Sequence, residues 1–388
     1  MELNRQTKDC PYDKLSKKSF FPQLENTNGS LLLERNSDFI INSNDKIISF
    51  GSCFASKIKI ICSKLSLNYL EFKDINDHCI DRIKLEKKGN FSLNYGNIYT
   101  AKHFLQLLER VIGQNKTLPS ILTDEKGMRR NSFRSNVLSY KDNEALRLDD
   151  ESHLKNILKA ISEATCLVFT LGLTEHWIDK KSNLCVPQVP GCGVGQFEDD
   201  KYEFINSTLF SVVDELENAI NLIRSINEKI KIILTLSPVP LVATFTNLSA
   251  VEANIYSKSL LRQSIALLLE KGFKKVYYFP SFEIMTNPHF MNLNFEDNKR
   301  SVSDFGLNLI INHFNQVYVG KDIEDLNEFK PNMKIEVNFN KNKNDSFNPA
   351  CDEENIYASF LQKSKLLELN SCRILVEKEQ KQIIKNNT

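Results

Sequence analysis

The nine residues Ile47-Ile48-Ser49-Phe50-Gly51-Ser52-Cys53-Phe54-Ala55 decide how this chain is read. A β-branched and aromatic run breaks at Gly51, and a helical pattern follows at once through Phe54, Ile58, Ile61, Cys62 and Leu65, which puts one apolar face on the next element. Strand, glycine turn and helix in that order deliver Ser52 to the carboxyl edge of a sheet, where a hydroxyl can act as a nucleophile. Glycine lets the chain turn sharply and lets a ligand approach the backbone. The helix start beyond it offers free N–H groups and a positive dipole end to a developing oxyanion.

Outward from this elbow, four further apolar runs read as buried strands: 67–72, 166–171, 230–236 and 276–279. Helical patterns lie between them, carried by Phe104, Leu107, Leu108, Val111 and Ile112, by Leu154, Ile157, Leu158 and Ile161, and by Val212, Val213, Leu216, Ile220 and Ile223. The alternation predicts an α/β fold, a three-layer doubly wound and mostly parallel five-stranded sheet with ligands held outside the carboxyl ends of its strands. Two insertions interrupt it. Residues 114–150 carry the basic run Met128-Arg129-Arg130 with Arg134, and residues 178–206 are rich in Pro and Gly; both read as excursions over the strand ends, either a lid or plain surface loops. Residues 1–318 read as one α/β domain. After Val317 the chain turns rich in Lys, Asn and Glu, so 319–388 reads as a partly helical extension with a frayed tail, which packs on the domain or mediates homo-oligomer assembly.

Acidic and basic residues nearly cancel, 49 against 50, which gives no signature of a nucleic-acid or membrane-surface partner. No apolar run is long enough for a membrane span, and the polar start Met-Glu-Leu-Asn-Arg-Gln-Thr-Lys has no signal-peptide core, so a cytoplasmic location is expected. The nine cysteines are scattered and odd in number, which fits reduced thiols better than a disulfide framework. The six histidines form no metal-ligand spacing, and no metal is assigned.

Further segments give the elbow its context: Cys10-Pro11-Tyr12, Gly96-Asn97-Ile98-Tyr99-Thr100, Thr170-Leu171-Gly172-Leu173-Thr174-Glu175-His176-Trp177, Pro190-Gly191-Cys192, Ser237-Pro238-Val239-Pro240-Leu241, Ala253-Asn254, Tyr256-Ser257-Lys258, Leu261-Arg262 and Tyr278-Phe279-Pro280-Ser281-Phe282-Glu283. In this order, with Gly-Ser-Cys-Phe-Ala at its head, the chain resembles the GSCFA family, whose members look like SGNH-type (GDSL-type) hydrolases. The resemblance covers roughly residues 10–317. It implies an ester hydrolase or O-acyltransferase acting on an acylated carbohydrate or other small ester through acyl-Ser52. It implies oxyanion donors from the N–H groups of Ser52 and Gly96 and from the side chain of Thr174 or Asn97, with Glu175 and His176 beside the substrate; capping of a helix is the plainer role for Thr174 and Glu175. No cofactor is implied, beyond an acyl donor such as acetyl-CoA for a transferase.

One part of the family pattern is missing. The Asp-x-x-His block that supplies orienter and base corresponds here to Glu296-Asp297-Asn298-Lys299-Arg300-Ser301, where Asp297 is present and Arg300 or Ser301 stands in place of the histidine. Arg stays protonated and a Ser hydroxyl is too weak a base. Three accounts stay open: His289 or His176 replaces the base, Asp297 or Glu296 acts as base itself, or the chain binds an acylated ligand without turning it over. Cys53 offers a thiol beside Ser52, but the turn is expected to aim it into the core.

Overall fold

The structure is a computed structural model that describes residues 38–72, 92–93, 95–134, 138–192, 194–288 and 290–321. Its strands are β1 (Lys46–Gly51), β2 (Asn68–Tyr69), β3 (Ile121–Thr123), β4 (Arg129–Asn131), β5 (Cys166–Leu171), β6 (Glu175–Asp179), β7 (Leu184–Val186), β8 (Tyr202–Asn206), β9 (Lys231–Leu236) and β10 (Val276–Phe279). The main sheet runs β2-β1-β5-β9-β10 with every pairing parallel. All five expected strands are therefore present. Because they are parallel, their carboxyl ends share one edge, and the direction of the winding reverses between β1 and β5.

Alternation along each strand sends neighbouring residues into opposite layers. Ile48, Phe50, Phe169 and Ile232 face the helices Ala101–Val111, Asn143–Glu163, Leu209–Ile226 and Ala250–Glu270. Ile47, Val168 and Ile233 face Lys57–Lys64 and Asp304–Phe314. Ile232 and Ile233 are adjacent in sequence and at most 1% exposed, one in each layer. Burial on both faces is why these strands read as unbroken apolar runs, and each such side chain contributes about 1.5–3 kcal/mol. Phe104 stacks on Phe169 at 4.1 Å between ring centres and fixes the helix Ala101–Val111 against the switch point.

The two insertions fold differently. Within 114–150, β3 and β4 form an antiparallel ribbon, and residues from 143 on already belong to the helix Asn143–Glu163. Arg134, read as part of a surface basic run, is buried: it donates to Asp149 at 2.6 Å, while Arg110 and Asn131 reach Asp150 at 2.5 and 2.9 Å. Its partner comes from the following helix, which cancels the charge that made the run look solvated. The insertion expected at 178–206 is part of an antiparallel sheet over 175–206 with the order β7-β6-β8. Residues 322–388, hence nearly all of the extension, and the Cys10-Pro11-Tyr12 segment lie outside the described residues.

Candidate active site at the strand ends

β1 ends on Gly51 with φ +137°, a conformation that side chains rarely adopt. A Cβ there would lie 2.3 Å from the Thr170 carbonyl oxygen of β5, so only glycine lets the two strand ends approach this closely. Ser52 follows at the N-cap of the 3-10 turn Cys53–Ser56, yet its hydroxyl makes no cap hydrogen bond. That is unusual for a residue type favoured at caps. The hydroxyl is buried, with Ser52 only 3% exposed, and has no hydrogen-bond partner among the described residues.

Gly172, just past β5, faces it directly. A Cβ on Gly172 would stand 2.9 Å from Ser52 Cβ and 3.4 Å from Ser52 Oγ. The Gly96–Thr100 segment bridges the two strand ends: Ile98 N–H donates to the Gly51 carbonyl at 2.9 Å, and the Tyr99 carbonyl accepts from Gly172 and Leu173 at 2.9 and 3.0 Å. Behind them the helix Ala250–Glu270 contributes two clamps. Ser257 Oγ accepts from Thr174 N–H at 3.1 Å, and Lys258, 2% exposed, donates to the Gly172 carbonyl at 2.7 Å. A Ser249/Glu252 capping box starts that helix and fixes its phase. Ser237 N–H reaches the Leu171 carbonyl at 2.8 Å, and Ser281 Oγ the Leu236 carbonyl at 2.7 Å, so the blocks after β1, β5, β9 and β10 gather at one edge.

Several expected roles are placed differently. Ser52 N–H, expected as an oxyanion donor, is bonded to the Thr170 carbonyl at 3.2 Å, a bond that the Gly51 turn imposes. Thr174 and Glu175 do not cap a helix, because Glu175 opens β6; Thr174 Oγ1 is buried with no partner among the described residues. The Glu175 carboxylate accepts from Thr244 Oγ1 at 2.7 Å and Phe245 N–H at 3.1 Å, so it pins the 243–245 loop. Gly96 takes φ +77° and Asn97 is buried at 7% exposure. Cys53, expected in the core, is half-buried because the tight 3-10 turn changes its direction.

The segment expected to carry the acid–base pair closes on itself. Asn298 Oδ1 accepts from the N–H groups of Arg300 and Ser301 at 2.9 and 2.8 Å, and its Nδ2 donates to Ser301 Oγ at 2.9 Å. Arg300 Nε donates to the Pro240 carbonyl at 3.2 Å. Asp297 is exposed on this turn and not bonded to Ser52. His289 lies outside the described residues. His176 is 8% exposed, and its Nδ1 is 3.3 Å from the Thr174 carbonyl. A carbonyl only accepts, so Nδ1 carries the proton and Nε2 keeps a lone pair. Burial pulls the His176 pKa down to about 4, so the ring is neutral near pH 7.

Beside Ser52, but not including it, a cavity of about 390 Å³ opens between the β7-β6-β8 sheet and the start of the helix Ala101–Val111. His176, Trp177 and Phe245 line it, as does His103, which the sequence reading did not single out.

Among solved structures, the chain is similar to a family 3 carbohydrate esterase of Clostridium thermocellum, at 11% identity and a TM-score of 0.33 over 70% of this chain and 94% of that one. It is also similar to a carbohydrate esterase family 3 protein of Talaromyces cellulolyticus, at 8% identity and a TM-score of 0.31 over 70% and 94%. A mutant acetyl esterase with an acetate ion matches at 10% identity and a TM-score of 0.33 over 69% and 93%. No curated protein matches. The sequence profile of the GSCFA family matches residues 46–314, which takes in the whole parallel sheet and the Ser52 elbow, and the chain therefore belongs to the GSCFA family.

Proposed function

We infer that the chain handles an acyl ester at Ser52, as an ester hydrolase or O-acyltransferase working through acyl-Ser52. One observation carries this reading: Ser52 Oγ and Thr174 Oγ1, at neighbouring strand ends, are both buried without a partner among the described residues. A buried hydroxyl left unpaired costs about 1–3 kcal/mol, an arrangement that a bound ligand relieves. In this reading Ser52 Oγ attacks the acyl carbonyl, the alcohol (or, from a thioester donor, the thiol) leaves with the proton given up by the serine, and the acyl group stays on Ser52. Water then releases the acid in a hydrolase, and a sugar hydroxyl takes the acyl group in a transferase, whose acyl donor would be a molecule such as acetyl-CoA. Gly96 N–H and the Asn97 or Thr174 side chain are the oxyanion donors we assign. Of the described candidates for the base, His176 has the tautomer a base needs, whereas Asp297 is exposed. An acylated carbohydrate in the cytoplasm is the substrate and setting this reading favours.

A second reading, binding of the acylated ligand without turnover, is favoured by the closed Asn298–Ser301 turn, which stands where the family's acid–base pair would be. Labelling with a fluorophosphonate, together with p-nitrophenyl acetate turnover, separates the two. The acyl-Ser52 reading expects labelling of the native protein and its complete loss in Ser52→Ala, with the melting temperature nearly unchanged. Equal labelling of the variant, or none of the native protein, overturns it. In the latter case esterase activity in Ser301→His would mark a degenerate hydrolase.

A further inference from the structure

Tyr99 and Leu173 belong both to the cavity wall and to the frame around Ser52. The Tyr99 carbonyl accepts from the N–H groups of Gly172 and Leu173, and a Cβ on Gly172 would stand 3.4 Å from Ser52 Oγ. One residue thus separates the cavity wall from the contact with the serine, a step of about 3.8 Å between Cα atoms. His176, the base favoured above, lines the same cavity. On the acyl-Ser52 reading, on which this inference rests, a base that serves Ser52 brings the reacting ester to that wall.

The cavity, at about 390 Å³, has room for a whole ligand group, far more than the methyl of an acetyl ester fills. Leu173, Val186, Val189, Trp177, Phe204 and Phe245 make its wall largely apolar. Phe245 packs against Trp177 at 4.7 Å and Phe204 at 5.1 Å between ring centres and is 63% exposed, so this aromatic corner stands at the rim.

The polar side chains of the lining are already engaged. The two Glu175 oxygens accept from Thr244 Oγ1 and Phe245 N–H, Gln188 Nε2 donates to the Cys192 carbonyl, and Thr100 Oγ1 accepts from His103 N–H. No Lys or Arg is among the described lining residues. A sugar ring here would give up water at its hydroxyls for few partners, and an anionic group would find no counter-ion. An alkyl or aryl group gains from every methylene or ring edge it buries.

We propose that this cavity holds the acyl chain of the ester that Ser52 takes up, and that the chain is apolar and longer than acetyl, with the alcohol outside. The alcohol leaves with the serine's proton, the acyl carbon stays bonded to Ser52 Oγ, and the chain keeps its place until water or a second hydroxyl takes the acyl group.

Two measurements keep a failure of this inference apart from a failure of the reading beneath it. Fluorophosphonate labelling reports on Ser52. Trp177, the only tryptophan of the chain, reports on the cavity without any reaction, through its emission as the full-length protein is titrated with methyl hexyl ketone or with acetone. A saturable response to methyl hexyl ketone is expected, with acetone at least about tenfold weaker. Among p-nitrophenyl esters, kcat/KM for the octanoate should exceed that for the acetate at least about tenfold. Val189→Phe, which fills the cavity from a half-buried loop position, should bring both ratios close to one. Phe245→Ala, at the exposed rim, should lower both severalfold whether or not the Val189 variant folds. Labelling of Ser52 with no saturable response to methyl hexyl ketone, with acetate turned over as fast as octanoate, or with full selectivity in Phe245→Ala overturns the inference alone. No labelling overturns turnover at Ser52; a saturable ketone response then keeps the chain-binding cavity for the second reading, and its absence overturns both.

Discussion

At Ser52 the polar groups are backbone N–H and C=O groups that parallel strands hold in register, whereas at the neighbouring cavity they are side chains hung from an inserted antiparallel sheet and the first turn of a helix. The first kind of site is tight. Gly51, Gly172 and the Tyr99 carbonyl meet with no room for an added methyl group. The second is roomy and aromatic, and its rim is partly open to solvent. The difference separates two kinds of construction: a close-packed sheet edge fixes its groups in place, and an insertion supplies volume without disturbing them.

Substitutions on either side of that divide should differ in scale. Gly51→Ala breaks the comparison most severely, since the new Cβ meets the Thr170 carbonyl at 2.3 Å in a conformation strained for alanine. A loss of more than about 4 kcal/mol is expected, read as a collapse of the urea midpoint. Acidification acts on the cavity side. Burial pulls the pKa of His103 to about 3 and that of His176 to about 4, so between these values and 6.5 the unfolded chain takes up protons that the folded chain refuses. The contribution of each of these two histidines is therefore flat above about pH 7 and falls as the pH drops below 6.5, by about 1.4 kcal/mol at pH 5.5, while Glu215, whose pKa burial raises to about 7, shifts stability the opposite way; the melting temperature of His103→Phe should accordingly gain on that of the native protein between pH 7 and 5.5. Glu175→Gln is the mildest test. The amide keeps one acceptor for Thr244 but cannot accept from Phe245 N–H, so about 1 kcal/mol of loop anchoring is lost. The melting temperature should fall by about 2 °C.

The same division governs what could be read from the sequence. The five parallel strands were legible because burial on both faces writes them as apolar runs, and Gly51-Ser52 because the change from strand to helix period falls on a glycine. The β7-β6-β8 sheet was not, since Pro and Gly between short strands look the same in a loop and in an inserted ribbon. His103 was hidden inside an amphipathic helix, where Phe104 and Leu107 carry the periodic signal; its one local cue was a threonine three residues earlier, the spacing of a cap. The acid–base position was legible only as a gap. What fills it, the Asn298 turn and the Arg300 reach to Pro240, depends on contacts that no local pattern encodes.

Lys258 gives the chain a built-in order of assembly. Its ammonium holds the Gly172 carbonyl from a helix that lies about 200 residues beyond Ser52, so during N-to-C synthesis the serine emerges long before the clamp that shapes its surroundings exists. A nascent chain thus displays Ser52 without the buried surroundings that the folded chain gives it. Only docking of the helix Ala250–Glu270, late and long-range, completes the surroundings of Gly172 and Ser52.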